Sequence, residues 1–298
     1  MQRRSYTLRD GELSALHFGD TSAPVRLVFL HANGFNAQSY RAVMERLGIH
    51  VVVFDMRGHG ESRHLPQPAE MANWHIFRDD CVEFFDRYLP ELTYGPVVLG
   101  GHSFGAAVAV LTASELASRS INPLCGYIGI DPPTVPYFFR LTSSVPSGRA
   151  FLKKRMPLIR KTGTRKSVFE SRDSAFEHLK GRGAFKGVSD EILRDYISGG
   201  LYEDEMGAWQ LSCNPKWEQS IFTAQWQNLF KAARDLPKNA KFIYANGHPP
   251  VSTRGTRRAM ARGHDGVRVS FDSSLGHLFP FDKIDFTAQV LREALEMP

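Results

Sequence analysis

Ser103 stands at the centre of Gly101-His102-Ser103-Phe104-Gly105, between an apolar run (Pro96–Gly100) and an alanine-rich stretch (Gly105–Ala117). This order reads as strand, sharp turn and helix with a serine at the apex, its hydroxyl exposed and the following amide free to donate. The chemistry on offer is nucleophilic attack, which a serine hydroxyl performs only with a base within hydrogen-bond reach. Gly101 and Gly105 suit such a turn, because side chains there would collide where strand and helix approach closely. Alone the pentapeptide is weak: roughly one chain in six of this length and composition carries one by chance. The elements around it must supply the partners.

Those elements alternate. Tyr6–Leu8 and Glu12–Phe18 read as an opening antiparallel pair around Asp10-Gly11. Val25–His31, His50–Asp55, Pro96–Gly100 and Gly126–Asp131 are short apolar runs that read as strands. Between them lie stretches of helical spacing, Ser39–Leu47 ending at Gly48, Trp74–Leu89, and the segment that starts at Ser103. Apolar strands alternating with helices imply an α/β fold with a mostly parallel sheet covered on both faces. From Pro136 to Asp235 the alternation stops, and helical patches such as Asp173–Lys180, Asp190–Ile197 and Trp217–Arg234 replace it without convincing strands. Strands resume at Lys241–Ala245 and Val267–Phe271, and a closing helix spans about Lys283 to Glu296. The expected division is a core of residues 1–135 and 236–298 with a helical cap, 136–235, over the sheet's carboxyl end.

Composition bounds the rest. The 298 residues are 42% hydrophobic and 23% charged, ordinary for a soluble globular protein. No apolar run approaches the roughly 18 residues that span a bilayer, and the N-terminus shows no apolar signal-peptide core. Cys81, Cys125 and Cys213 are odd in number and widely spaced, as free thiols in a reducing compartment would be. A cytoplasmic protein without stable membrane insertion is expected. Residues 136–235 hold 17 Lys/Arg against 11 Asp/Glu, and Arg149–Lys166 holds eight basic residues and no acidic one. Such a face is either simply solvated or attracts anionic substrates or an anionic lipid surface. No nucleic-acid-binding module accompanies it, so no nucleic-acid partner is expected. No cluster has metal-ligand spacing, and no G-x-G-x-x-G or P-loop follows a strand, so neither metal nor cofactor is expected.

Four blocks together carry a resemblance: His31-Ala32-Asn33-Gly34-Phe35, Asp55-Met56-Arg57-Gly58-His59-Gly60-Glu61-Ser62, Gly101–Gly105, and Leu275-Gly276-His277-Leu278-Phe279-Pro280. In this order at strand ends, the chain resembles an α/β-hydrolase over roughly residues 1–135 and 236–298. The resemblance implies an eight-stranded, mostly parallel sheet flanked by helices, with the cap inserted after the sixth strand. It implies Ser103 as nucleophile, His277 as base, and an oxyanion hole from the backbone amides of Phe104 and Asn33, with Ala32 or Gly34 open as the second donor. In many members the acid lies after the seventh strand, but no Asp or Glu occurs between Lys241 and His264. The alternative placement, at the end of the sixth strand, implies Asp131; Asp265 and Asp272 are rivals, and a dyad without an acid stays open. The Arg57-Gly58-His59-Gly60 turn is expected to be chiefly architectural, and His102 to serve packing or orientation.

The function implied is a carboxylesterase-like serine hydrolase cleaving an ester-like bond in a small to medium, partly apolar substrate through an acyl-enzyme on Ser103. Lactonase, thioesterase and carbon–carbon hydrolase activities share that machinery. Two further readings are a ligand-binding, receptor-like protein with little turnover and a lipid hydrolase working at anionic membrane surfaces.

Overall fold

The computed structural model describes residues 1–120, 122–245, 252–262 and 268–296. Strands β1 (Gln2–Leu8) and β2 (Gly11–Phe18) form the expected hairpin, with Leu8 opposite Gly11. Next come β3 (Leu27–Leu30), β4 (Val51–Phe54), β5 (Val97–His102) and β6 (Leu124–Ile130). After a long insertion, which holds β7 (Val168–Phe169), β8 (Leu201–Glu203) and β9 (Trp209–Leu211), the main sheet closes with β10 (Ala240–Ala245) and β11 (Arg268–Asp272). The eight-stranded sheet runs β1-β2-β4-β3-β5-β6-β10-β11. The β1–β2 and β2–β4 pairings are antiparallel, and every pairing from β4 to β11 is parallel.

Every residue of β3 (Leu-Val-Phe-Leu), β4 (Val-Val-Val-Phe) and β5 is buried, as strands covered on both faces must be. Helices His75–Arg87 and Phe104–Leu116 pack on one face. The closing helix Ile284–Leu295 packs on the other with the short helix Arg41–Met44. Eleven of the thirteen residues of Phe104–Leu116 are buried, only Ser114 and Glu115 reaching solvent, and its apolar, alanine-rich sequence reflects that. The expected helix over Ser39–Leu47 is instead one turn of α-helix between two 3₁₀ turns, stopped by Gly48 at φ 68°.

Residues 136–235 depart from an all-helical expectation. They hold helices, among them Tyr137–Ser144, Arg172–Leu179 and Asp190–Gly200, but also a three-stranded antiparallel sheet in the order β7-β9-β8. Strands of two and three residues are too short to display an alternating pattern. The expected helix over Trp217–Arg234 is broken into Pro215–Thr223 and Leu229–Ala232. In the break the Trp226 N–H donates to Ala72 O at 2.9 Å, a tertiary bond in place of a helical one. Trp74, fully buried, ties the insertion to the core by donating its indole N–H to Ile221 O at 3.0 Å.

A buried polar chain runs beneath the hairpin. His50 Nδ1 donates to Ala23 O (2.6 Å), so its Nε2 must accept from His17 Nδ1 (2.7 Å), and His17 Nε2 then accepts from the Tyr6 hydroxyl (2.7 Å). Each ring is thus held neutral. Burial, reinforced by Arg4 and His50, pushes His17 from 6.5 down to about 3. The unfolded chain therefore binds more protons than the folded one between those values. The stability that neutral His17 contributes is present above pH 6.5 and is lost as pH falls. The urea midpoint is expected to drop on acidification from neutrality toward about pH 4, and His17→Gln should flatten that slope. An unchanged slope in the variant would remove His17 from the account.

Candidate active site

Ser103 sits between β5 and its helix at φ 55°, ψ −123°, in a region that costs a non-glycine residue about 1–3 kcal/mol. The cost is met by neighbours that leave no alternative. The Ser103 N–H donates to Ile130 O at 2.7 Å, and His102 pairs with Ile130 across β5 and β6. A Cβ on Gly105 would lie 2.2 Å from Leu30 O and 2.5 Å from His31 O, and one on Gly101 would lie 2.5 Å from the carbonyl carbon of Gly105. Helix and strand cross so closely that only glycine fits at both positions. Phe104 is the first helical residue, so its N–H has no intrahelical acceptor. Its ring is clamped edge-on by Trp74 (5.0 Å) and Phe77 (4.9 Å).

Asp131 follows β6 directly, also with a left-handed backbone (φ 43°), and its N–H donates to Ile243 O of β10 at 2.7 Å. Its side chain is buried, and Oδ2 lies 2.7 Å from His277 Nδ1. On the other side of the ring, His277 Nε2 lies 2.9 Å from Ser103 Oγ. A carboxylate only accepts, so Nδ1 carries the proton and Nε2 offers its lone pair to the serine hydroxyl. Residues expected from three separate strand ends therefore form one hydrogen-bonded line. Asp272 is engaged elsewhere: its Oδ1 accepts from the Ser274 N–H (2.8 Å) and hydroxyl (2.6 Å). Asp265 lies outside the described residues.

His102 and Tyr40 hold this line in place. His102 Nε2 donates to the carbonyl of His277 at 2.8 Å, leaving Nδ1 to accept from the Tyr40 hydroxyl at 2.7 Å, and that hydroxyl accepts from the Ala32 N–H at 3.0 Å. Burial first, then the neighbouring His277, holds His102 well below the usual histidine range, so it stays neutral. His102 therefore bonds the backbone of His277 rather than its ring. Tyr40 was not identifiable from sequence, because it reads as an ordinary apolar position of an amphipathic helix.

The His31 block is braced in the same manner. The Gly34 N–H donates to His59 Nε2 (3.1 Å), and the Met56 N–H donates to His31 Nε2 (2.9 Å). Burial pushes His31 down to about 4 and, with His31 beside it, His59 down to about 3, so both accept these bonds as neutral rings. The Arg57–Gly60 turn thus reaches the site after all, by fixing the residue after Asn33. Its Arg57 is architectural: buried, it meets Asp80 Oδ1 at 2.6 Å and Asp10 Oδ2 at 3.0 Å. The backbone N–H of Asn33 makes no hydrogen bond among the described residues. The Asn33 side-chain amide is occupied, donating to Glu218 O at 3.1 Å.

Residues between Pro136 and Asp235 bond to the loops that follow β3 and β4. Trp217 donates its indole N–H to Arg57 O (3.1 Å), and Asn36 Nδ2 donates to Tyr196 O (2.9 Å). Glu218 packs so tightly on Gly34 that a Cβ there would lie 2.5 Å from Oε1, and it pairs with Arg165 at 2.6 Å. This buried pair was also missed, since two charges 53 positions apart leave no local signal. Among the described residues no group of three or more His, Cys, Asp and Glu could hold a metal ion. No helix among them is long and apolar enough to cross a membrane.

A strained serine between a parallel strand and a buried helix, hydrogen-bonded through histidine to an aspartate on the next strand, is the arrangement of an α/β-hydrolase. The profile of the "Alpha/beta hydrolase family" matches residues 27–290, and the chain belongs to that family. The chain is 32% identical over 111 residues to human monoglyceride lipase, covering 36% of each chain. It is 33% identical over 105 residues to human protein phosphatase methylesterase 1, covering 33% of this chain and 26% of that one. These matches thus span about a third of each relative or less. Among solved structures, an E-2-(acetamidomethylene)succinate hydrolase superposes with a TM-score of 0.75 at 17% identity, covering 99% of both chains. That likeness establishes the fold.

The geometry of the turn yields a prediction. Gly105→Ala is expected to lower stability by about 1–3 kcal/mol or more, because the new methyl group meets main-chain oxygens that cannot rotate away. A urea midpoint equal to wild type would contradict the close approach described.

Proposed function

We propose that the protein is a serine hydrolase of carboxylic esters, working through an acyl-enzyme on Ser103. The observation that carries this reading is the Asp131–His277–Ser103 line, with separations of 2.7 and 2.9 Å and a single consistent direction of proton donation. Ser103 Oγ attacks the carbonyl carbon while His277 Nε2 takes its proton. Asp131 keeps the ring in the Nδ1-protonated form and stabilises the imidazolium. The amides of Phe104 and Asn33 receive the developing oxyanion, each such donor being worth about 3–4 kcal/mol in enzymes of this type. The proton then passes from Nε2 to the departing alcohol. Water, activated by the same nitrogen, attacks the acyl carbon and releases the acid and the free serine.

The ester preference rests on the kinds of reaction named for the two human relatives, a glyceride lipase and a methylesterase. Residues 136–235 act, in this reading, as a cap that encloses the substrate and lends it apolar and aromatic walls. In support, their Trp217, Glu218 and Tyr196 bond to the loops that follow β3 and β4. Lactone, thioester or carbon–carbon cleavage would use the same residues, and the bond cleaved is a property of the cap.

Two experiments test the reading. A fluorophosphonate should label the protein stoichiometrically, and Ser103→Ala should abolish both labelling and hydrolysis of short p-nitrophenyl esters. A folded protein that neither labels nor hydrolyses any ester would instead be a binding protein with the same pocket. Separately, Asp131→Asn should lower kcat by about ten-thousand-fold with little change in the unfolding midpoint. Near-wild-type kcat in that variant would rule out Asp131 as the acid.

A further inference from the structure

Thirteen large apolar side chains are exposed among the described residues, and six of them fall between residues 137 and 158. They are Tyr137, Phe138, Leu141, Val145, Phe151 and Leu158, with Phe138 at 78% and Leu158 at 62% exposure. They lie on or between three successive helices, Tyr137–Ser144, Pro146–Arg155 and Pro157–Thr162. The helices form one packed unit. Arg149 Nη1 donates to Ser143 O at 3.0 Å, and the start of the second helix lies so close to the first that a Cβ on Gly148 would fall 1.7 Å from Thr142 O. A concentration of exposed apolar side chains on one packed unit marks an interaction surface rather than scattered surface residues.

The charges beside it indicate the partner. Residues 136–166 carry nine Lys/Arg and no Asp or Glu. Four of the nine are engaged within the chain, Arg149 by Glu70 (2.9 Å), Arg165 by Glu218 (2.6 Å), and Arg140 and Lys166 over the rings of Trp226 and Phe169. Lys154, Arg155, Arg160 and Lys161 are exposed and make no ion pair among the described residues. In the helix Pro146–Arg155, Phe151 shares its exposed face with Lys154 and Arg155, while Arg149 and Leu152 are buried on the other side. In Pro157–Thr162, Leu158 is exposed beside Arg160 and Lys161. Aromatic and aliphatic groups one turn from unpaired cations fit a boundary where phosphate groups meet hydrocarbon. A second copy of this chain would bring the same positive charge against the surface. A nucleic acid would satisfy the cations and leave Leu141, Val145 and Leu158, which cannot stack on bases, in water.

We propose that this three-helix face docks the protein reversibly on anionic lipid bilayers, its cations at the phosphates and its apolar side chains in the interface. The first of the helices begins six residues after Asp131, at the end of the sheet that carries Ser103. The proposal goes beyond the hydrolase reading and does not require it.

The test is co-sedimentation of the full chain with vesicles of phosphatidylcholine alone or mixed with phosphatidylglycerol. Binding to the mixed vesicles should be at least about tenfold tighter and should fall steeply with added salt. Two triple variants, Lys154→Glu with Arg155→Glu and Lys161→Glu, and Phe138→Ser with Phe151→Ser and Leu158→Ser, should each lose that binding. Both should keep the far-UV circular dichroism and urea midpoint of the wild type. Ser103→Ala should bind vesicles normally, which separates failure of docking from failure of the hydrolase reading. Equal binding to both vesicle types, or binding that survives either triple variant, overturns the proposal. So does capture of a single-stranded oligonucleotide, or self-association abolished by the same variants, without vesicle binding.

Discussion

The approach of one buried helix to the main chain of the sheet is the constraint on which the rest of this structure depends. At Gly105 the helix comes within reach of Leu30 O and His31 O, and at Gly101 the strand meets the helix start in return. This contact forces Ser103 into a left-handed backbone and leaves the Phe104 amide at the mouth of the helix. It also presses the helix against the end of β3, whose following loop carries Asn33. Ser103, the Phe104 amide and the loop that carries Asn33 are therefore placed by a single steric event. A conformation worth about 1–3 kcal/mol of strain persists because so much core packing would have to be surrendered to relieve it.

Around that crossing, polar order is kept by neutral histidines. His31, His59 and His102 are buried, and each spends one nitrogen on a carbonyl as donor and the other as acceptor from a backbone N–H or a tyrosine hydroxyl. A charged ring in these positions would face a large desolvation penalty and lose its acceptor role. Neutral rings instead give each loop bond a fixed direction. The loops after β3, β4 and β11 are held by main-chain hydrogen bonds to side chains, although none of them is regular secondary structure. His277, by contrast, remains partly exposed.

Much of this is legible in the sequence. Apolar strands and the alternating helices are governed by local periodicity, and the parallel sheet follows from them. Ser103 stood out by its place between an apolar run and an alanine-rich stretch, and Asp131 and His277 by the blocks that carry the resemblance. The strands β7, β8 and β9 were not readable, because two or three residues carry no period and their pairing is long-range. The break between Pro215–Thr223 and Leu229–Ala232 was hidden for a related reason: a bond from Trp226 to Ala72, 154 positions away, overrides helical spacing. Tyr40 and the Arg165–Glu218 pair escaped because their partners are distant in sequence and their own neighbourhoods look unremarkable. That the Gly34 N–H is taken by His59 and the Ala32 N–H by Tyr40 was equally hidden, because both partners are set by the fold.

The position of the candidate acid has a consequence for how the molecule can vary. Ser103 and Asp131 follow β5 and β6, which pair directly through His102 and Ile130. Their relative height is therefore dictated by ladder bonds in the middle of the sheet and not by the course of a loop. An acid delivered after β10 would have tied that connection to one length and one shape. Here the stretch from Asn246 to Val251 carries no carboxylate, so no side chain in it can stand in for Asp131. Insertions, deletions or grafted recognition elements at that junction can accumulate while Ser103 and Asp131 keep their spacing.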